Sequence, residues 1–429
     1  MNQERSTFYE VLRPAVWSGI NVFFRKVVIR NKHKIPVDRP VIIVANHQNA
    51  LLDPVVLCVS SRRQLHWLTR ADVFKNKRVS AFLHRINMMP VYRERDRVAD
   101  LHDRNNAIFN ECYRRMQQNA IIGIFPEGTH RGKKQLVPLK KGLARLVIGA
   151  YESGVRNLCI LPVGLDYESF YEPQQDLMVT FGDVIEVESL VQAELNNHAK
   201  LHSEITRLVH AALTGVMIHV DSEDVYSEIL SLKPLLDELH PSDDLASKFD
   251  RFHALAKYLD AHEEHHHFLN HEVNDFRTLG HQLHIEEHRY TTRISAGRWI
   301  GLIAGLPFAL LAATVLWPMQ LFVERFVHTV IKDTLFRNSI RISFWTFLTP
   351  IYLILVWLVL KWAGASNLVQ LIPVAAPLAG LITLPWWRNT KRIAQFIRLH
   401  RMRNSETFVR WSAMRTQIKQ WIQTLPYQQ

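Results

Sequence analysis

The amino-acid sequence predicts an α/β domain with a mostly parallel central sheet flanked by helices, followed by a helical insert and C-terminal transmembrane helices. Three observations carry that expectation. Short apolar runs alternate with longer helical patterns over the first half of the chain, as βαβ units with a parallel sheet require. A polar, helical stretch then covers residues ~190–295 with no further strand pattern. Three closely spaced apolar stretches follow, each near the roughly 20 residues that span a bilayer.

Phe8, Leu12, Val16, Ile20 and Phe24 recur at every fourth position, the mark of an amphipathic first helix. Arg25–Arg30 reads as a strand, and Pro40–Ala45, entered through a turn containing Pro36, as a buried one. Further short strands are expected at Leu65–Thr69, Met89–Tyr92, Ala120–Phe125, Cys159–Gly164 and Asp176–Phe181, with helices over Arg97–Gln118 and Lys141–Glu152 between them. The strands end at polar or glycine-containing turns, where open α/β sheets place their sites. Leu201–His219 is expected to close this domain as a helix.

The apolar stretches are Trp299–Val323, Ile342–Leu360 and Leu368–Trp387, with tryptophans mostly near their ends, as interfacial belts require. Their prolines are tolerable where neighbouring helices satisfy the freed backbone groups. The alternative is a set of buried core helices in a soluble protein. Basic residues flank the outer ends of the second and third stretches (Lys332, Arg337, Arg341; Arg388, Lys391, Arg392), which makes them a hairpin with both outer ends cytoplasmic. The first has arginines at both ends (Arg293, Arg298; Arg325) and fits a re-entrant or bent helix pair. Beyond Arg388, Phe408, Trp411, Met414, Ile418, Trp421 and Leu425 share one helical face among cationic neighbours. That pattern fits a helix on the membrane surface, or a helix packed on the body.

The formal net charge is +12. From residue 388 onward nine Arg or Lys residues stand against Glu406 alone, directly after the apolar region, which favours anionic membrane lipids as a partner. No nucleic-acid-binding signature is present, so nucleic acid is not an expected partner. Cys58, Cys112 and Cys159 are scattered without metal or disulfide spacing, pointing to a reducing compartment. The N-terminal segment lacks a signal peptide's apolar core, and no cleavage is expected.

The chemistry concentrates at strand ends. Asn46 and His47 directly follow a buried strand, and Asp53 stands six residues beyond His47. A histidine there suits a general base, and a carboxylate folding back onto its other ring nitrogen would fix tautomer and orientation. No GxSxG-type nucleophile turn accompanies it, so the simplest use is deprotonation of a substrate hydroxyl. Phe125-Pro126-Glu127-Gly128-Thr129-His130-Arg131 follows another strand, with Lys133 and Lys134 beyond. Its backbone donors and cations suit a phosphate, while Glu127 would bind substrate hydroxyls or tie down the loop. Arg93 and Arg95 just past a third strand offer bidentate phosphate recognition, one of them being directed at a ligand. Ile160–Gly164, containing Pro162, is a buried strand that says little alone.

In this order the four segments resemble the glycerolipid (PlsC-type) acyltransferase family over Phe8 to His219, with FPEGT as the most specific part. The resemblance implies His47 as general base and Asp53 as its partner. It implies substrate binding by Asn46, Arg93, Glu127, Gly128, Thr129 and Arg131, with Pro162 near the acyl or acceptor site. The implied reaction moves a fatty acyl group from acyl-CoA or acyl carrier protein to a glycerol-phosphate acceptor, with no cofactor besides that co-substrate. The common family spacing is His-x4-Asp, whereas this chain has His-x5-Asp. One extra residue turns a helical side chain by about 100°, so the loop must absorb it. That spacing resembles the fungal-type glycerol-3-phosphate/dihydroxyacetone-phosphate acyltransferases, which implies the sn-1 hydroxyl as acceptor. Acylation of 1-acylglycerol-3-phosphate or another lysophospholipid, and a non-catalytic scaffold keeping the fold, are the alternatives. His130 also stands where the family carries Arg. The domains expected are 1–220 (acyltransferase), 221–295 (helical insert), 296–387 (membrane region) and 388–429 (basic amphipathic tail), in a multi-pass membrane protein with its catalytic domain on the cytoplasmic side.

Residues 262–288 hold His262, His265, His266, His267, His271, His281, His284 and His288, with Glu-x-x-His spacings at Glu263–His266 and Glu264–His267. Such spacing occurs on di-iron helices, but the further carboxylates on matching helices are not evident. No metal ligands are assigned, and a solvated helical face is the reading preferred.

Overall fold

A computed structural model describes residues 6–93, 96, 98–193 and 197–427; Arg95 lies outside them. Along the chain run α1 (Thr7–Phe23), β1 (Lys26–Arg30), β2 (Val41–Ala45), α2 (Leu52–Ser60), β3 (Leu65–Arg70), α3 (Lys77–Arg85), β4 (Met88–Val91), α4 (Leu101–Met116), β5 (Ile121–Ile124), α5 (Gly142–Glu152), β6 (Cys159–Tyr167), β7 (Asp176–Phe181), β8 (Ile185–Glu186), α6 (Val187–Ala193) and α7 (His198–Thr214). Then follow α8 (Tyr226–Ser231), α9 (Lys233–Leu239), α10 (Leu245–Ala261), α11 (His266–Phe268), α12 (Asn274–Gln282), α13 (Ala296–Val330), α14 (Thr334–Ser343), α15 (Thr349–Trp362), α16 (Asn367–Gln370), α17 (Ile372–Met402) and α18 (Glu406–Thr424). Two compact units divide the chain. The first is Met1–His219 with Asp333–Ile342, and the second is Val220–Lys332 with Ser343–Gln429. The ten residues from Asp333, which the sequence reading put inside the membrane region, therefore pack with the α/β unit.

In the first unit the sheet order is β1-β7-β6-β2-β5-β3-β4, with β8 paired to β6. β6, β2, β5, β3 and β4 are mutually parallel, while β7 runs antiparallel to β6 and parallel to β1. The sheet is thus mostly parallel, as expected, with a reversed edge pair. Period-two alternation assigns each central strand to two cores. Val41, Ile43 and Ala45 of β2 face one core together with Ile20, Leu57 and Leu161. Ile42 and Val44 face the other, with Leu146, Val147 and Leu213 from α5 and α7. The carboxyl ends of β2, β3, β4 and β5 consequently open on one edge, which carries the His47, Arg93 and FPEGT motifs, whereas Ile160–Gly164 lies inside β6.

The second unit is helical. α13 and α17 pack closely: a side chain at Gly305 would collide with the Trp386 ring, and Trp386 Nε1 donates to Leu302 O at 2.7 Å. The bent or re-entrant pair expected for the first apolar stretch is instead one 35-residue helix running through Pro307 and Pro318. Near these prolines, Trp386 Nε1 donates to Leu302 O and Tyr352 Oη donates at 2.8 Å to Val315 O, tying the helix to its neighbours. Ala296–Val330 and Thr334–Trp362 are long and apolar enough to cross a membrane, and only 17% and 11% of their most apolar windows are buried. That exposure argues against the soluble-core alternative. The third stretch is divided between α16 and α17, and α17 continues to Met402.

The membrane-surface helix expected near the C-terminus is also corrected. Trp411, Ile418 and Ile422 of α18 are fully buried, with Trp411 stacked on Phe276 and Trp421 against Phe268. Arg415 donates to Glu238 and, at 3.3 Å, to Glu287. Burial pushes the Glu287 carboxyl up to about 7, against the pull of Arg415. The insert thus supplies both the apolar cover and the counter-charges for this face. Several histidines of the insert are committed locally: His262 lies on Tyr258, the Tyr258 hydroxyl meets His265 Nε2 at 3.2 Å, and His266 Nε2 faces Leu259 O.

Candidate active site

β2 delivers Asn46 and His47 to the sheet edge, and the loop before α2 brings Asp53 back to them. His47 Nδ1 lies 2.8 Å from Asp53 Oδ2. That oxygen also accepts from the backbone N–H groups of Gln48 and Asn49, each at 2.8 Å, and Oδ1 accepts from the Tyr167 hydroxyl at 2.7 Å. Asp53 is fully buried while His47 keeps a partly exposed ring. A buried carboxylate with four donors is compensated and fixed. Burial beside it drives the Tyr167 phenol well above its ordinary pKa, so Tyr167 acts as a donor. Nδ1 faces Asp53, and Nε2 is the other nitrogen of this partly exposed ring.

The FPEGT segment holds the His47 peptide from both sides. His47 N–H donates to Glu127 Oε1 at 2.6 Å, and His47 O accepts from Arg131 N–H at 3.1 Å. Glu127 Oε2 accepts from Val137 N–H. Both of its oxygens are therefore spent on backbone, and burial pushes its carboxyl up to about 7 despite those two donors. Of the two roles open to Glu127, the geometry is that of a loop tie. Gly128 takes a left-handed backbone (φ 68°), which glycine adopts without strain, and its N–H closes a turn on Phe125 O.

Rings complete the support of His47. Phe125 stacks on it at 4.1 Å and Trp67 stacks on Phe125 at 4.8 Å. Gly123 makes room for Trp67, because a Cβ there would sit 2.6 Å from the indole. His130 meets His47 edge-on at 5.4 Å between centroids. Its Nε2 lies 2.8 Å from Asp333 Oδ2, and Phe336 packs edge-on against its ring. Burial raises the Asp333 carboxyl's pKa, but hydrogen bonds from His130 and the Leu335 N–H outweigh that and hold it below the usual range.

The remaining expected site residues divide clearly. Arg93 lies past β4 with its guanidinium 3.3 Å from Asp96 and 3.8 Å from Asp72, and its Nε is buried without a protein partner. Thr129 and Arg131 are exposed beside the loop. The Asn46 side chain, by contrast, is buried and pairs with both backbone groups of Leu165, at 2.9 and 2.8 Å. It extends the β2–β6 ladder rather than opening toward a ligand. Pro162 is buried inside β6 opposite Val44, roughly 10 Å along the sheet from His47, and abuts Gly182. Sequence reasoning missed Tyr167, Trp67, Gly123 and Asp333. The first and last had no local signal, while the glycine within β5 marked a close approach.

The first unit thus joins a mostly parallel sheet to a histidine bonded to a buried carboxylate and a loop carrying cations at the sheet's carboxyl edge. Residues 26–166 match the family model described as Acyltransferase, so the first unit carries a PlsC-type acyltransferase domain. The chain is 27% identical over 112 residues to glycerol-3-phosphate O-acyltransferase 1 of Saccharomyces cerevisiae, covering 26% of this chain and 15% of that protein. It is 29% identical over 117 residues to 1-acyl-sn-glycerol-3-phosphate acyltransferase of Bacillus subtilis, covering 27% of this chain and 53% of that protein. The crystal structure of the 1-acyl-sn-glycerophosphate acyltransferase PlsC from Thermotoga maritima aligns with a TM-score of 0.35 at 18% identity, over 47% of this chain and 78% of that one. The matches thus span 15% and 53% of the two curated relatives' lengths.

Proposed function

We propose that this protein transfers a fatty acyl group from an acyl thioester, acyl-CoA or acyl carrier protein, to the sn-1 hydroxyl of glycerol-3-phosphate or dihydroxyacetone phosphate. The observation that carries the reading is the 2.8 Å His47–Asp53 contact within a saturated carboxylate cage. His47 Nε2 takes the acceptor hydroxyl's proton as that oxygen bonds to the thioester carbonyl carbon. Collapse of the tetrahedral intermediate breaks the C–S bond, and the imidazolium returns the proton to the leaving thiolate. Asp53 holds the ring and offsets the imidazolium charge. Arg93, with its unpartnered Nε, and Arg131 beside Gly128 and Thr129 receive the acceptor phosphate. The two long apolar helices cross the membrane, and the catalytic domain lies on the cytoplasmic side.

The His-x5-Asp spacing and the yeast relative's name favour the sn-1 reaction. The name of the Bacillus relative, more than half of which is matched, supports lysophosphatidate as the second acceptor to test. An assay on purified membranes offers glycerol-3-phosphate, dihydroxyacetone phosphate and lysophosphatidate with an acyl-CoA donor, wild type beside His47→Ala. Transfer to the first two that is lost in the variant is expected. Equal activity in both proteins sinks the mechanism, preference for lysophosphatidate shifts the acceptor, and no transfer at all moves the protein to a scaffold role.

A further inference from the structure

Family resemblance places the whole site before residue 220, yet the helix starting at Asp333 packs into the same unit. Leu335 and Ile342 belong to the core that includes Val41 and Leu57, and Asn338 Nδ2 donates to Phe170 O at 2.9 Å. Leu335 also lies against Gly132, in the loop after FPEGT, where a Cβ would approach it to 3.0 Å. Asp333 itself has two tasks. Its Oδ1 accepts from the Leu335 N–H at 3.0 Å, capping the first turn of α14. Its Oδ2 lies 2.8 Å from Nε2 of His130, 203 residues earlier in the chain.

We infer that Asp333 is a positioning residue of the acyl-transfer site, fixing His130 against His47 so that the base presents Nε2 to the acceptor hydroxyl in one orientation. A carboxylate pinned by a helix cap is a rigid anchor, and an imidazole bonded to it through Nε2 has its rotation and tautomer set. Phe336 closes on the same ring from α14. His130 then restricts the His47 ring at 5.4 Å, as Phe125 does by stacking at 4.1 Å. Misorientation of a base lowers the rate of the chemical step more than it weakens substrate binding. The inference rests on the acyl-transfer reading for its kinetic consequence, but not for the Asp333–His130 pairing itself.

Asp333→Ser separates the two tasks, because serine still caps a helix but is too short to reach His130. Asp333→Asn still reaches the ring. With the full-length protein in detergent, Asp333→Ser should lower kcat at least tenfold with KM for the acceptor changed less than threefold, and Asp333→Asn should fall in between. In a His130→Ala background, Asp333→Ser should have no further effect, since it acts through that ring. A kcat within twofold of wild type, or a full additional loss in the His130→Ala background, overturns the proposal. A second measurement does not depend on turnover: diethyl pyrocarbonate labelling read peptide by peptide should modify His130 several-fold faster in Asp333→Ser than in wild type. Unchanged labelling overturns the pairing. Absence of transfer by wild type, with labelling as expected, instead refutes the proposed function and leaves the pairing standing.

Discussion

Asp53→Asn tests the site most sharply, because the structure says what survives the substitution. The asparagine can place its carbonyl oxygen where Oδ2 now accepts from His47, Gln48 and Asn49, and its amide nitrogen toward Tyr167. A hydroxyl can turn and accept, so every buried group keeps a partner. The fold and the His47 tautomer should therefore persist, with a stability loss of roughly 1–2 kcal/mol from exchanging a charged acceptor for a neutral one. What disappears is the negative charge that, in the proposed mechanism, faces the imidazolium of the transition state. At an effective dielectric of about 20 and a charge separation of ~4 Å, that attraction amounts to about 4 kcal/mol, or on the order of 10³-fold in kcat. The assay is kcat at saturating acyl donor and acceptor in detergent, paired with a thermal melt of the same preparation. A folded Asp53→Asn protein with kcat within tenfold of wild type would refute the electrostatic role. A rise in KM at unchanged kcat would move Asp53 from the chemistry to binding.

Three further perturbations probe the supports. Gly123→Ala pushes a methyl into the Trp67 indole, 2.6 Å away, and should cost roughly 1–3 kcal/mol by overpacking; kcat should fall as well, because Trp67 carries Phe125 and Phe125 carries His47, whereas unchanged turnover would show the stack to be incidental. Glu127 has a folded pKa of about 7 against an ordinary 4.5, so the native state holds a proton that the unfolded chain loses. Its contribution is complete below pH ~4.5 and declines by roughly 3 kcal/mol as pH rises through ~7, and the difference in unfolding free energy between Glu127→Gln and wild type at pH 5 and pH 8 should change by about that amount. Arg415→Ala removes the counter-charge of Glu287; breaking a buried pair costs roughly 3–5 kcal/mol, offset in part as Glu287 takes up a proton, and limited proteolysis should then cleave near α18 far faster than in wild type.

How much of this was legible depended on the range of each signal. β2 and β5 could be read because each is a nearly unbroken apolar run, as a central parallel strand must be. β6 was expected to stop at Gly164 but continues through Asp166 and Tyr167. Those residues look like a strand end, yet Asp166 is buried against Lys134 at 2.8 Å and Tyr167 is bound to Asp53. Partners that neutralise a polar residue are invisible to hydropathy when they come from distant segments. For the same reason His47 and Asp53, six residues apart, were found, while Tyr167 and Asp333 were not. α18 shows the reverse error. Its apolar stripe was real, but amphipathicity alone does not distinguish lipid from protein as the cover, and Glu238 and Glu287 on the insert decide for protein.

The extra residue between His47 and Asp53 shows how local strain and site geometry are coupled. If α2 began one residue earlier with the added position inside it, Asp53 would turn about 100° away from the ring. Instead α2 starts at Leu52 and keeps Asp53 in its first turn. Just before the helix, Ala50 adopts a left-handed backbone with φ of 39°. A side chain in that region costs roughly 1–2 kcal/mol, which persists only where the surroundings determine the conformation. They do so here: the Gln48 and Asn49 N–H groups are tied to Asp53, Leu52 N–H closes on Asn49 O, and Ala50 is itself buried. The carboxylate bonded to His47 therefore also holds the loop that brings it there, so the x5 spacing and the close His47–Asp53 pair are compatible.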